Sequence, residues 1–267
     1  PAVETLGLVS VICSDKTGTL TRNEMTVRTV LTAEGMFDIS GVGYRPDGGF
    51  EIDGKLTDAG SFPTLAEVAQ AAILCNDADL RMADRERKVE GDPMEGALVS
   101  LGMKAGFDAE RWRRQLTRTD EIPFDTQHKF MATLHHSHED GAFAYIKGAP
   151  EQILSMCSRQ LERDGTATLD ADFWRARIDA IAGQGQRLLA VAMKTVPRGQ
   201  RDLSFDDVQG GATMLGLLGL IDPPREEALT AVRDCRSAGI RVKMITGDHA
   251  VTAEAIARQL DLAEDPK

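Results

Sequence analysis

Apolar and β-branched residues crowd positions 6–13, and the chain then turns polar at once through Ser14, Asp15 and Lys16. A run of this kind reads as a buried parallel strand, and Gly18 with its flanking threonines forces a turn directly after it. The pattern returns only late in the chain. Segments 214–221 and 240–245 read as strands, alternating with helix-period stretches at 224–238 and about 250–260. Between these ends the character changes. Strand-like segments at 25–31, 51–56, 119–124, 129–134, 142–147 and 187–193 mix with helical ones at 65–75, 93–104, 109–116, 151–156 and 173–182. Several of those strands follow one another without a helix between them, which predicts an antiparallel α+β sheet. The segment 35–60 holds seven glycines and reads as an early hairpin region. The expected organisation is therefore α/β: a doubly wound parallel sheet from residues 1–23 and 212–267, with residues 24–211 inserted as a second domain.

Composition agrees with a globular chain of about two domains, with 42% hydrophobic and 27% charged residues in 267. The longest apolar run, at 212–221, is about half of the roughly 20 residues a spanning helix requires. No signal-peptide pattern precedes the first strand, so the chain is expected to begin inside a longer protein. A net charge of −11 and a pI near 5.0 argue against nucleic acid or an anionic membrane surface as the main partner. The four cysteines, Cys13, Cys75, Cys157 and Cys235, contain no CxxC pair and read as reduced thiols. His135, His136 and His138 fall where a strand runs into a turn, which favours a solvated hairpin over a metal site.

Asp15 carries the chemistry. It is expected at the carboxyl edge of the parallel sheet, where open α/β folds place their ligands. An aspartate with an ordinary pKa of about 3.9 is ionised at neutral pH and needs no base to attack the terminal phosphorus of a nucleotide. It does need its charge cancelled, by a divalent ion, a lysine such as Lys16, and backbone N–H groups.

Four segments in this order, 15–21 (DKTGTLT), 147–151 (KGAPE), 222–225 (DPPR) and 246–249 (TGDH), resemble the cytoplasmic catalytic part of a P-type cation-transporting ATPase. The details around Asn23 to Val27, Gly91 to Leu98 and 244–253 are most similar to the calcium and sodium/potassium branch, and to bacterial calcium-type pumps in particular. The resemblance implies a haloacid-dehalogenase-like phosphorylation domain carrying an inserted nucleotide-binding domain. ATP and Mg²⁺ are the implied ligands, an aspartyl-phosphate on Asp15 the intermediate, and the protein's own transmembrane and actuator domains the partners. It also implies a place on the cytoplasmic face of the cell membrane.

Within the inserted domain, the resemblance implies that Phe124 stacks on adenine and that Glu95 faces its amino group. Lys129 and Lys147 are candidates for the charged end of the nucleotide and the cavity wall. Gly148 is expected to let the backbone approach the ligand, and Arg187 matches the arginine that reaches toward phosphate. Asp92 is expected to cap a helix with Pro93 in its first position. In the outer unit, Thr17 is implied to offer its hydroxyl to phosphate and its carbonyl to Mg²⁺, beside Asp15 as the other metal ligand. Thr246 and Gly247 are implied to hold the transferred phosphate, Asp248 to lie near the nucleotide, and Asp222 to position rather than transfer protons. A lysine and a Gly-Asp-Gly-x-Asn-Asp motif that complete the site in the family do not follow before Lys267. The chain by itself is therefore expected to bind nucleotide but to be catalytically incomplete.

Two rival readings belong to other classes. Haloacid-dehalogenase-like soluble phosphatases with a large cap generally carry a second aspartate two residues after the nucleophile. Thr17 stands there instead and cannot relay a proton at neutral pH, which favours a long-lived acyl phosphate. A nucleotide-binding module without catalysis is the other alternative.

Overall fold

The computed structural model describes residues 9–83, 86–137, 141–247 and 250–262. Its first strand and the turn after it are β1 (Val11–Asp15) and the segment Lys16–Leu20. Next come β2 (Thr26–Thr32), β3 (Gly35–Ile39), β4 (Phe50–Ile52), β5 (Lys55–Thr57), α1 (Pro63–Leu74), β6 (Asp79–Ala83), β7 (Glu86–Glu90), α2 (Pro93–Lys104) and α3 (Ala109–Gln115). The middle of the chain gives β8 (Thr117–Asp125), β9 (Phe130–Ser137), β10 (Gly141–Gly148), α4 (Pro150–Met156), β11 (Cys157–Glu162), β12 (Gly165–Thr168) and α5 (Ala171–Ala182). The remainder is β13 (Arg187–Val196), α6 (Phe205–Val208), β14 (Ala212–Ile221), α7 (Glu226–Ser237), β15 (Arg241–Ile245) and α8 (Ala250–Gln259).

One large sheet dominates, in the order β5-β4-β3-β2-β14-β13-β10-β9-β8, with β11 and β12 attached along the start of β14. Nearly all its pairings are antiparallel, as the helix-free succession of strands predicts. Helices cover both faces. Along β9 and β10, Ala132, Leu134, Ala144 and Ile146 face α4 and α5, whereas Met131, Tyr145 and, on β13, Val191 face α1 and α2. This is the two-residue alternation of a pleated strand carried through a three-layer stack.

The strand at 214–221 departs from expectation. Expected in the parallel unit, β14 lies instead between β2 and β13 in the middle of the antiparallel sheet. Its leucines are buried on both faces, Leu217 with one core and Leu215, Leu218 and Leu220 with the other. Burial on both faces is the pattern of a parallel strand, but helices on both sides of an antiparallel sheet produce it equally well.

The second unit is small. Strands β1 and β15 pair in parallel, from Val11 with Arg241 to Asp15 with Ile245. Leu20, Ala228, Ile256 and Leu260 form its own core, with α7 and α8 supplying the helical side. The expectation that β1 is buried on both faces does not hold among the described residues: Ile12 is 38% and Ile245 58% exposed. Among the described residues, Val242 and Met244 of β15 are partly covered.

Where the two units join, the chain crosses twice, and the crossings are zipped together. Arg22 N donates to Pro223 O at 3.0 Å and Arg225 N to Leu20 O at 2.9 Å, around an antiparallel bridge between Thr21 and Pro224.

Candidate nucleotide and phosphate sites

On the α1/α2 face of the large sheet a cavity of about 270 Å³ opens between α2, the end of β8 and the strands β9, β10 and β13. Each wall has a local cause. Pro93 takes the first position of α2, and the Asp92 carboxylate accepts the Met94 and Glu95 amides at 2.8 and 3.3 Å. That cap is the one expected from sequence, and it starts the helix so that Glu95 sits one turn in, facing the sheet. Lys147 comes from β10 and is only 5% exposed. Its ammonium lies 2.6 Å from Glu95 Oε1. The Asp77 amide donates to the other carboxylate oxygen at 3.1 Å.

The rest of the lining is apolar, from Met94, Met131 and Leu189, with Phe124 at the rim. Phe124 is 60% exposed, so its ring face is open to a ligand. It lies where β8 loses register with β9 between Ile122 and Asp125. Pro123 is tolerated there because β8 is the last strand of the sheet path and the ladder is already interrupted. A few convergent polar groups in an otherwise apolar hollow are what a small-molecule site consists of.

Four of the six expected nucleotide residues, Glu95, Phe124, Lys147 and Gly148, line this cavity. Lys129 and Arg187 do not. Lys129 is exposed at the end of the turn that Asp125 organises, with a φ of 58°. Hydrogen bonds from the Gln127 and then the His128 amide hold the Asp125 carboxyl below the usual carboxylate range. Arg187 is exposed at the start of β13, two residues before Leu189 and therefore on the same face as the cavity, nearer the crossing. Gly148 also has a reason within the fold itself. A Cβ there would stand 2.4 Å from Lys129 O and 2.7 Å from Phe130 Cα, so the glycine is required by the neighbouring strand before any ligand arrives.

Asp77 and Leu189 went unnoticed in the sequence. Nothing local marks them, because one follows the end of α1 and the other is an ordinary strand leucine. The histidines also differ from expectation. His135 is 1% exposed, its Nδ1 bonded to Leu116 O at 3.0 Å and its Nε2 to Thr133 Oγ1 at 2.8 Å. Since a carbonyl only accepts, the proton is on Nδ1. Burial pushes its pKa down to about 4. His136, next along β9, faces the other way, and His138 lies outside the described residues.

The second cluster lies at the carboxyl ends of β1 and β15. Asp15, exposed, pairs with Ile245, so Thr246 and Gly247 leave β15 beside it. The turn then closes through Gly18 at a φ of 75°, and Thr17 inside it is extended and exposed. Lys16 is buried, and its carbonyl accepts the Thr21 amide at 3.0 Å. Asp222 is not at this strand end. It is buried at the crossing, where Oδ2 accepts from Thr21 Oγ1 at 2.6 Å. Asp248 lies outside the described residues.

Comparison with known proteins decides the family. The family model for the P-type ATPase cytoplasmic domain N matches residues 64–227. The chain belongs to the P-type ATPase family. That match covers α1 to the start of α7, the cavity included. The P-type chain is 44% identical over 272 residues to the cation-transporting ATPase pma1 of Synechocystis sp., covering 99% of this chain and 30% of that protein. It is 39% identical over 266 residues to a calcium-transporting ATPase of Bacillus subtilis, covering 98% and 30% respectively. Against the human calcium-transporting ATPase type 2C member 1 it is 38% identical over 269 residues, covering 98% and 27%. The chain thus spans about 30% or less of the curated P-type relatives it matches. No helix among its described residues is long and apolar enough to cross a membrane.

Proposed function

We propose that this chain is the ATP-binding and phosphorylation region of a P-type ATPase that couples ATP hydrolysis to cation transport through an aspartyl-phosphate on Asp15. The observation that carries the reading is the cavity: a Lys147–Glu95 pair withdrawn from water and an exposed Phe124 ring line the same hollow, on a unit joined by a double crossing to the one that bears Asp15. The large sheet, residues 24–221, would hold the nucleotide. The parallel pair with residues 9–23 and 222–262 would be a haloacid-dehalogenase-like phosphorylation unit. This division ends the inserted domain at Ile221 because β14 pairs within the large sheet.

In this reading adenine stacks on Phe124 and presents its amino group to Glu95, while Lys147 holds the carboxylate in place and forms the wall. Lys129 and Arg187, exposed beyond the cavity, are available to the polyphosphate. The Asp15 carboxylate attacks the terminal phosphorus, and the acyl phosphate forms as the bond to the departing ADP oxygen breaks. Thr246 and Gly247 lie beside Asp15 to receive the transferred group. Thr17, having no proton-relay capacity, leaves the acyl phosphate slow to hydrolyse.

Mg²⁺ suits the donors at this strand end. Asp15 and the Thr17 carbonyl are hard oxygens on an exposed turn, and Mg²⁺ is ordinarily held by one or two carboxylates with water and substrate phosphate completing its shell. Bound there, it would neutralise charge between carboxylate and phosphate. The relatives' names support a cation as cargo, and the family supports membrane-spanning and actuator domains in the same protein, with this region on the cytoplasmic face.

Calorimetric titration of the 267-residue chain with ATP tests the reading. Saturable binding that weakens about tenfold on Glu95→Ala, yet stays measurable, is expected. Absence of binding at millimolar ATP would sink it.

A further inference from the structure

Behind the nucleotide cavity lies a second hollow of about 270 Å³, and the two share Asp77 as a common wall. Arg118, from the start of β8, lines this second hollow beside Asp77. Its guanidinium reaches four acceptors on two elements. At the end of α1 and on the turn that follows it, Nη2 donates to Leu74 O at 3.4 Å and to Asn76 O at 2.6 Å, and Nη1 to Asp77 Oδ1 at 2.6 Å. On its own strand, Nη1 also meets Glu121 Oε2 at 2.5 Å, three residues before Phe124. The register slip between Arg118 and Asp120 puts residues 118 and 121 on one face of β8.

The turn that Arg118 grips is the one that fixes Glu95. Asn76 Nδ2 donates to the Glu95 carbonyl at 2.9 Å, and the Asp77 amide donates to the Glu95 carboxylate at 3.1 Å. Glu95 is therefore held at its backbone and its head group by two consecutive residues, and Arg118 holds the first through its carbonyl and the second through its carboxylate. We propose that Arg118 is a positioning residue for the nucleotide cavity, keeping the 74–78 turn where the Asp77 amide and Asn76 side chain orient Glu95. The inference rests on the nucleotide-binding reading above.

Charge alone does not account for the arrangement. Asp77 is 54% exposed at its side chain, and an ion pair that open to water contributes little. The carbonyl contacts matter more, because they fix backbone, and the cation also faces carbonyls left over at the end of a helix. A planar fork of five donors can span a turn and a strand at once, which a single ammonium cannot.

A double-mutant cycle on ATP affinity tests this, using wild type, Arg118→Gln, Glu95→Ala and the double variant of the 267-residue chain. If Arg118 acts through Glu95, Arg118→Gln weakens ATP binding about tenfold in the wild-type background and less than about twofold in the Glu95→Ala background. Equal losses in both backgrounds, or no loss in the first, would overturn the role of Arg118 while leaving the nucleotide reading intact. Failure of wild type to bind ATP would overturn both. Should Arg118→Gln melt before the titration temperature, Arg118→Lys replaces it, with a loss of about threefold and the same non-additivity expected.

Discussion

Lys147 Nζ stands 2.6 Å from Glu95 Oε1, with the two side chains 6% and 17% exposed. A pair this withdrawn from water stabilises little by itself, but removing one partner strands the other. Lys147→Met is therefore expected to lower stability by about 3–5 kcal/mol as well as to abolish ATP binding, because the Glu95 carboxyl loses its ammonium partner. Glu95→Gln, which keeps a hydrogen-bond partner for the lysine, is expected to cost less. Denaturant melts of the two variants check the order, and a milder effect from Lys147→Met contradicts it.

Phe124 offers a cleaner separation of binding from folding. Because its ring is mostly exposed, Phe124→Ala removes little buried surface. Stacking on a base is worth about 1–3 kcal/mol, so ATP affinity should fall roughly 10- to 100-fold with the melting temperature unchanged. Titration and calorimetry on one preparation suffice.

Gly148 should behave in the opposite way. Its added Cβ would meet backbone on both sides of the β9 start, which cannot move like a flexible side chain. Gly148→Ala is expected to destabilise the fold by about 1–3 kcal/mol even without nucleotide. Full stability would show that the strands can part.

His135 gives the chain an acid sensitivity. Its pKa is about 4 when folded, below the ordinary 6.5, so the unfolded chain binds the proton more readily. The stability contributed by neutral His135 is complete above about pH 6.5 and is lost as pH falls toward 4, at up to about 1.4 kcal/mol per pH unit. His135→Gln should flatten that part of the stability profile. An unchanged slope would mean other groups carry it.

The parallel pair should be the less protected unit. Its core is small and Ile12 and Ile245 are open to solvent, so amides at 11–15 are expected to exchange hydrogen faster than those at 130–137 and 141–146. Equal protection would contradict this.

Much of this was legible in the sequence, and for identifiable reasons. Local signals survived: Asp92 and Pro93 cap a helix, Gly18 takes a left-handed conformation, and Asp15 ends a strand. Pairings across long separations did not. Glu95 and Lys147 lie 52 positions apart, and no periodicity announces their contact or brings in Asp77. The place of β14 is not legible in the sequence, because periodicity reports how many faces are buried, not which strands lie alongside. The burial of His135 is hidden for a related cause, since one of its hydrogen-bond partners, Leu116 O, comes from 19 positions away.

The zipped crossing has a consequence for folding order. Thr21 and Asp222 touch although they lie 201 positions apart. For a disordered guest of that length, bringing its ends together would cost the host strands about 5 kcal/mol in chain entropy. A guest already folded presents those ends side by side and removes the penalty. The host pair should therefore assemble last, on a template the guest provides, and pulse-labelled refolding would see β1 and β15 protected only after the large sheet.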